Sequence, residues 1–293
     1  MNGKDVDSIV NLLDDPDKEV YQLIQADLVS HGADVIPVLE EAWFHTPSVT
    51  VRQRIENIVE KIQQQDALNG FQAWISNGAE DILEGAYWVA KFQYPNLSLL
   101  WLTREVEQLR MSIWLESSET LNPFEQLAVV NRVIYSEHGY KVDPKDMQNP
   151  ELCFINRVIE SKYGNPTSMG ILYLSVAQRL NLPVSGVCIP NSFLLSYQEQ
   201  GSKKPDFYIN AANRGHLLRS DDIKEYFTHI NIKPKQEHFV ACSNLKIIAR
   251  LLQALTFTYT QMEETKKAEM YHKLIAFTGE KSPLDLPDED DDM

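Results

Sequence analysis

Apolar residues in the first 65 positions recur at spacings of three and four, with polar residues between them. Because an α-helix completes a turn every 3.6 residues, this spacing gathers the apolar side chains on one face. The pattern therefore predicts a series of short amphipathic helices. Their apolar positions are Val6, Ile9, Val10 and Leu13; Val20, Leu23, Ile24 and Leu28; and Val35, Val38, Leu39 and Ala42.

A weak internal repeat relates two parts of this region. The first copy is Pro16, Val20, Ile24 and Leu28, and the second, 31 positions later, is Pro47, Val51, Ile55 and Val59. In each copy the proline stands where a helix is predicted to begin. Stacked helical hairpins of this kind resemble HEAT-like repeats, although those are usually longer, at about 40 to 47 residues. An ordinary helical bundle is the alternative interpretation.

The helical period continues through residues 66–138 and then gives way to shorter segments. Asn122 followed by Pro123 predicts the start of one of these helices. After the helical stretch MGILYLSVAQRL come VSGVCI, SFLLSY and DFYINAA, which are rich in β-branched and aromatic residues. Such segments are typical of antiparallel strands. Helix is predicted again from Asn244 to Phe277, with a break near Met262 to Thr265.

The net negative charge of the chain makes anionic binding partners unfavourable. The sequence has 27 Lys and Arg against 42 Asp and Glu, a formal net charge of −15. This charge repels phosphate backbones and anionic lipid surfaces, so we expect neither nucleic acid nor a membrane as partner. The N-terminal residues show no basic region followed by an apolar stretch, and the chain has no apolar run of about 18 residues or more, so we expect neither a secreted nor a membrane-spanning protein. We therefore expect a cytoplasmic protein.

The cysteines carry a separate expectation. Cys153, Cys188 and Cys242 form no CxxC pair, and three cysteines cannot all pair within one chain. Reduced thiols are the simplest interpretation. Cys153 and Cys188 stand among apolar residues, which favours buried, inert side chains.

A predicted helix that begins at a tight turn is followed by three predicted strands, and this order of elements resembles that of a known family. From Trp88 to about Leu218 the sequence resembles the transglutaminase-like superfamily, specifically its bacterial SirB-type subfamily. The stretches that carry this resemblance include VVNRVIYSEHGY, FINRVIESKYGNPTSMGILYLSVAQRLNLPVSGVCIP, NSFLLSY and FYINAANRG. The resemblance implies a papain-like core, and members typically continue into a tetratricopeptide-like helical pair. NLKIIARLLQALTFTYTQMEETKKAEMYHKLIAF is similar to such a pair.

The resemblance also implies where a catalytic cysteine would stand, at the N-terminus of the helix that precedes the strands. There the helix dipole favours a thiolate, and the motif is Gly-x-Cys with a small residue four positions later. Aligned on Gly164 and Gly170, the motif places Pro166 at the cysteine position. A small shift in register places Ser168 there. Neither residue is a thiol. The segment from Asn165 to Ser168 can equally be interpreted as a helix-capping turn in which Thr167 or Ser168 bonds to first-turn amides.

The other two family positions are occupied by residues that do not titrate near neutral pH. The motif's histidine matches Ser192, directly before Phe193, and its aspartate matches Asn210. If Tyr197 lies opposite Pro205 in the hairpin, then Ser192 lies opposite Asn210 and the two side chains can form a hydrogen bond. Such a pair offers structural support or a ligand contact, but no proton acceptor.

Other candidate site residues are weaker. Cys188 or Ser168 could act as a displaced nucleophile with His216 as base, but His216 follows Arg214 and Gly215 in a predicted turn facing solvent. The histidines show no HExxH or similar spacing. We therefore predict no catalytic residue, no metal and no cofactor.

Together these observations predict an α+β protein in four parts. They are HEAT-like helical hairpins over residues 1–65, a degenerate transglutaminase-like domain with a helical lead-in over 66–240, a tetratricopeptide-like pair over 241–280, and a disordered acidic tail over 281–293. We expect a non-catalytic binding or scaffolding protein with a protein partner. The alternatives are a hydrolase or acyltransferase that uses Ser168 or Cys188 with His216, and a regulator that binds a peptide or small ligand in the family's active-site groove.

Overall fold

The structure, a computed structural model, describes residues 8–9, 11–118, 120–143, 146, 148–190 and 192–280. Val6 and Val10 of the first predicted helix lie outside the described residues, and so does the predicted acidic tail. By their internal contacts the residues form two compact units. Among the described residues, one unit comprises those up to Ala73 together with Lys91–Asn96, and the other comprises Trp74–Ala90 together with those from Leu97 onwards.

The first unit is built from helices whose predicted apolar residues are buried or half-buried where they are described, except that Leu23 is 73% exposed. Helix α1 spans Lys18–Ser30, α2 spans Ile36–His45 and α3 spans Val49–Ser76. Helices α1 and α3 each begin two residues after a proline of the repeat, so their starts are also 31 residues apart. Their shared core consists of Leu13, Leu28, Val35, Val38, Leu39, Ala42, Val51, Ile55, Ile58 and Ile62.

The second unit contains further helices and a small sheet. Its helices are α4 Ile82–Lys91, α5 Leu99–Glu116, α6 Pro123–Asn131, α7 Ile155–Ser161, α8 Pro166–Arg179, α9 Ser220–His229, α10 Asn244–Gln261 and α11 Thr265–Ala276. A π-helical segment, Arg132–Glu137, follows α6. Asn122 caps α6 as predicted, because its side chain accepts hydrogen bonds from the amides of Phe124 and Glu125. The predicted break between α10 and α11 is confirmed.

The three predicted strands are confirmed and belong to a four-stranded antiparallel sheet. Strand β3 spans Val184–Ile189, β4 spans Ser192–Tyr197, β5 spans Phe207–Asn210 and β6 spans His216–Leu218, in the order β3-β4-β5-β6. Strand β6 was not predicted, and the expectation that His216 lies in a turn was wrong. A short parallel pair, β1 Lys141–Val142 and β2 Tyr163–Gly164, was also not predicted. With mostly helical content and this sheet, the protein is α+β.

The predicted register of the β4–β5 hairpin was wrong by two residues. Tyr197 pairs with Phe207 and not with Pro205. The amide of Asp206 donates to the carbonyl of Tyr197 at 2.9 Å, and the rings of Tyr197 and Phe207 stack with centroids 4.9 Å apart. A proline has no amide hydrogen to contribute to a strand ladder, so the hairpin closes after Pro205. In this register Ser192 does not lie opposite Asn210.

The two faces of the four-stranded sheet pack against different helices. On one face Phe193 packs at Gly170 of α8, and Ile247 of α10 packs at Gly186. On the other face Ile223 and Phe227 of α9 form a cluster with residues of the sheet, namely Val187, Ile189, Leu194 and Tyr208. We call these the α8 face and the α9 face. Because side chains alternate along a strand, each strand residue is assigned to one of them.

Candidate functional site

The N-terminus of α8, where the family places its nucleophile, is a closed capping arrangement. The Asn165 side chain accepts a hydrogen bond from the amide of Ser168 at 2.8 Å, and the amide of Asn165 donates to Ser168 Oγ at 2.9 Å. Pro166 occupies the first turn, where its missing N–H costs no hydrogen bond. A capping turn is therefore confirmed, but the capping residue is Asn165 and not Thr167 or Ser168 as predicted.

The hydroxyl of Ser168 both donates and accepts a hydrogen bond. The side chain is buried, with 1% of the residue exposed, and the hydroxyl donates to the carbonyl of Leu152 at 2.6 Å. Its oxygen also accepts from the Asn165 amide. A serine becomes a nucleophile when a neighbouring base takes its proton, and the partners of this hydroxyl are backbone groups. This geometry suits a structural hydroxyl.

Cys153 lies beside the same turn. Asn165 Nδ2 donates a hydrogen bond to its sulfur at 3.0 Å. Burial raises the pKa of the Cys153 thiol to about 12, and the hydrogen bond from Asn165 opposes that shift. A thiol with such a pKa is protonated at neutral pH, so the expectation of an inert, buried Cys153 agrees with its environment.

Ser192 and Asn210 lie on the α9 face, away from α8. Ser192 pairs with Ile189, and Asn210 lies two residues beyond Tyr208 on the same side of β5; Ile189 and Tyr208 both belong to the α9 cluster. Asn210 accepts a hydrogen bond from the amide of Asn213 at 3.1 Å, which closes the turn after β5. The predicted Ser192–Asn210 pair is therefore not formed.

Three residues on the α8 face of β4 and β5 are apolar and buried. Phe193 and Leu195 on β4 and Ile209 on β5 are each at most 1% exposed. Phe193 lies close against the backbone of Gly170, where an added Cβ would collide with the ring. The sheet therefore presents hydrocarbon to α8 at the positions where a base and its orienting acid would face a nucleophile.

Cys188 and His216 lie on opposite edges of the sheet. Cys188 is in β3, whereas His216 is in β6 and pairs with Asn210 on the α9 face. Three strand spacings of about 4.8 Å separate β3 from β6, which is about 14 Å. Cys188 was expected from the sequence to be buried, but in the structure the residue is only half-buried. The strand order does not bring these two residues together.

Comparison with known families agrees with this architecture. The family described as the Transglutaminase-like superfamily matches residues 101–253, just over half of the chain. The chain belongs to the transglutaminase-like superfamily. The matched range runs from α5 through the four-stranded sheet into α10.

The chain also has distant curated relatives. A UPF0162 protein of Xylella fastidiosa is 29% identical over 204 residues, covering 64% of this chain and 68% of the relative. A UPF0162 protein of Vibrio cholerae is 26% identical over 180 residues, covering 60% and 66%. Human F-box only protein 21 is 24% identical over 200 residues, covering 58% of this chain and 32% of the relative. The chain thus spans about two thirds of these two bacterial relatives and a third of the human one. No solved structure matches the chain.

Sequence reasoning missed a polar network that joins α8 to the β5–β6 turn of this transglutaminase-like domain. Tyr173 on α8 donates to Asn131 Oδ1 at 3.1 Å, and Asn131 Nδ2 donates to the carbonyl of Gly215 at 3.0 Å. The Tyr135 hydroxyl donates to the carbonyl of Ala211 at 2.8 Å. Burial raises the pKa of both tyrosines, so their hydroxyls remain donors. Asn131 is the last residue of α6, directly before the π-helical segment, and Tyr135 lies within that segment, which no periodicity in the sequence reveals.

Two absences concern the described residues only. Within the described ranges, no group of three or more His, Cys, Asp and Glu side chains is placed to hold a metal ion. Over the same ranges, every helix is too short or too polar to cross a lipid bilayer.

Proposed function

We propose that this protein is a non-catalytic binding or scaffolding member of the transglutaminase-like superfamily. The observation that supports this most strongly is the apolar α8 face of β4 and β5, where Phe193, Leu195 and Ile209 are buried. Acyl transfer by this family's layout needs a nucleophile, a base and an orienting group within hydrogen-bond reach of one another. Apolar side chains supply neither proton acceptor nor donor.

The alternative enzyme would use Ser168 or Cys188 with His216. Ser168 is buried beneath backbone partners on the α8 side of the sheet, and His216 is exposed on the α9 face. Cys188 is separated from His216 by the width of the sheet. A base must lie within about 3 Å of the proton it removes, or act through one water, and the sheet intervenes in both pairs. The regulator that binds a ligand between Ser192 and Asn210 loses its support because that pair is not formed.

The first unit offers a surface for the proposed binding role. Helices α2 and α3 form a groove of about 360 Å³, which we call the Trp43 groove. It is lined by Glu40, Trp43, Ile55, Glu56, Val59, Glu60 and Gln63. Trp43 lies in the groove and donates to Glu56 at 2.9 Å. An apolar floor of this kind suits the apolar face of a helix.

The charges of the Trp43 groove favour a basic occupant. Glu40, Glu56 and Glu60 are all exposed. The nearby cation Arg52 lies over the Trp43 ring, 5.2 Å from its centroid. Three carboxylates against one guanidinium leave the rim acidic, which complements lysines and arginines that flank an apolar stripe. We therefore propose a basic amphipathic helix of a protein partner as the occupant.

The finer family placement is part of the same proposal. The 31-residue repeat of α1 and α3 supports HEAT-like hairpins, which present extended binding surfaces. Helices α10 and α11 support a tetratricopeptide-like pair, because Ala268 is buried and the rings of Tyr259 and Tyr271 stack with centroids 5.6 Å apart. Such a pair after the core favours the SirB-type subfamily. A cytoplasmic location fits these roles.

The test uses a defined probe on the full-length chain. A labelled Lys/Leu amphipathic peptide of about 18 residues should bind, whereas a Glu/Leu peptide of the same pattern should not. The double variant Glu40→Lys/Glu60→Lys should weaken binding by about tenfold or more. The control Glu225→Lys/Glu269→Lys changes the net charge equally at exposed sites of the second unit and should bind as the parent does. Equal loss in both variants would indicate general charge attraction and would contradict a specific groove.

A further inference from the structure

Two of the three cysteines meet at the edge of the sheet. The sulfur atoms of Cys188 and Cys242 are 3.3 Å apart, although the residues are 54 positions apart in the sequence. Cys188 lies in the edge strand β3. Cys242 lies just before α10, where its amide donates to the carbonyl of Gly186 at 2.8 Å. Both thiols are free and half-buried.

The backbone explains why the sulfurs meet. Cys242 forms an isolated antiparallel bridge with Gly186, so it lies beside β3. Gly186 and Cys188 are two residues apart on one strand and therefore point to the same face, which makes Cys188 and Cys242 diagonal neighbours. A disulfide has a sulfur separation of about 2.05 Å, so closing the pair requires a movement of just over 1 Å. A segment held by one isolated bridge can move by this amount more easily than a strand inside a ladder.

The electrostatics distinguish the two thiols. The hydrogen bond between the two sulfurs lowers the pKa of Cys188, and the charges of Arg250 and Lys246 on α10 act in the same direction. Burial and Glu280 oppose that shift. The pKa of Cys242 is raised, first by the same hydrogen bond and then by burial. The positive charges of Arg250 and Lys246 therefore favour a thiolate on Cys188.

We propose that Cys188 and Cys242 are a redox modification site, in which a peroxide converts the two thiols into a reversible disulfide. Cys188 attacks the peroxide O–O bond; its sulfur takes one oxygen, and one water leaves, giving Cys188 sulfenic acid. The Cys242 thiol then attacks that sulfur, the S–S bond forms, and a second water leaves. The two thiols lose two electrons and two protons, and one hydrogen peroxide is reduced to two waters. A dithiol or a thioredoxin-type reductant reverses the step.

The disulfide would tie β3 covalently to the segment that leads into α10. It closes a long loop that contains β4, β5, β6 and α9. Cross-links across loops of this length restrict the unfolded chain, so we expect oxidation to raise Tm by about 5–10 °C. This site is independent of the Trp43 groove.

The test is oxidation of the purified full-length protein with hydrogen peroxide, followed by denaturation and alkylation with N-ethylmaleimide. The reduced protein should take up label at all three cysteines and the oxidised protein only at Cys153. Peptide mapping should find Cys188 joined to Cys242, and dithiothreitol should restore full labelling. Retention of all three labels, a disulfide that includes Cys153, or overoxidation of Cys188 without a disulfide would overturn the proposal.

A matched pair of variants tests the roles of the two thiols. In Cys242→Ser the sulfenic acid on Cys188 has no resolving partner, so dimedone should trap it there. In Cys188→Ser the remaining Cys242 should react with peroxide at least about tenfold more slowly than Cys188 does in Cys242→Ser. Equal peroxide reactivity in the two variants would overturn the assignment of Cys188 as the attacking thiol. The mapping of the unmodified protein decides the disulfide itself even if one variant fails to fold.

Discussion

The two faces of the four-stranded sheet both pack apolar side chains, but they differ at the positions that align with the family's histidine and aspartate. Ser192 and Asn210 lie on the α9 face together with His216, whereas the α8 face of the same two strands has Phe193, Leu195 and Ile209. Polar residues that align with the family's catalytic positions therefore lie on the side of the sheet away from the helix that would carry the nucleophile. A one-residue difference in a strand reverses the face, so residue type alone does not locate a site.

The largest expected effect on stability is the difference between alanine variants of Phe193 and Ser192, which are adjacent in β4 and lie on opposite faces of the sheet. Phe193→Ala should lower the free energy of unfolding by about 3–5 kcal/mol, because it leaves a cavity against α8. Ser192→Ala should lower it by less than about 1 kcal/mol, because the half-buried hydroxyl is easily solvated. Urea unfolding monitored by circular dichroism measures both. Similar losses in the two variants would contradict the difference between the faces.

The close approach of α8 to the sheet gives the next prediction. Gly170→Ala places a methyl group against the Phe193 ring and should destabilise the protein by about 1–3 kcal/mol, although alanine favours helix by about 1 kcal/mol over glycine. In the Phe193→Leu background the same change should cost less, since the ring is gone. A double-mutant cycle measures this coupling. Additive effects would show that the two residues do not touch.

The capping turn at the start of α8 gives a smaller effect that can be compared with a second cap. Asn165→Ala removes the cap and the hydrogen bond to Cys153 in a buried site, and should cost about 2 kcal/mol. Asn122→Ala removes the exposed cap of α6 and should cost about 1 kcal/mol. Thermal unfolding of both variants tests the order. A greater loss in Asn122→Ala would reverse it and contradict the structural role of the α8 turn.

The smallest expected effect is a pH dependence of stability caused by His238, which packs against Phe227 of α9. His238 stacks on Phe227, with centroids 4.8 Å apart, and its Nδ1 accepts a hydrogen bond from the amide of Lys235 at 3.0 Å. Burial lowers its pKa below 6.5; Lys235 and Lys246 act in the same direction, and Glu237 opposes them. The folded state therefore favours the neutral ring. Its contribution to stability is full above pH 6.5 and is lost as the pH falls through the lowered pKa.

Two measurements check this sign. An NMR titration of the His238 ring should give a midpoint below 6.5. His238→Asn keeps an acceptor near the Nδ1 position and should reduce the fall in Tm between neutral and mildly acidic pH. A midpoint above 6.5 would reverse the expected pH dependence.

The sequence predicted the elements better than their pairing. Periodicity located the helices and β3 to β5, because burial imposes it directly. The register of β4 against β5 depends on where the loop closes, and Pro205 was placed in the ladder although it lacks the amide hydrogen that pairing requires. The two-residue error preserved the face of Asn210 but removed its pairing with Ser192. Cys188 and Cys242 lie together because an isolated bridge joins two segments that are distant in the sequence. No local sequence pattern predicts that bridge.

The account's central claim is that the core has no catalytic pair, and turnover tests it most directly. Labelling by electrophiles does not decide the question, because the Cys188–Cys242 pair is itself expected to react. Full-length protein, Ser168→Ala and Cys188→Ser should be assayed against amide, peptide and ester substrates. The account predicts that all three give the uncatalysed rate. Turnover by the parent protein that collapses in Ser168→Ala or Cys188→Ser, with the variant still folded by circular dichroism, would contradict it.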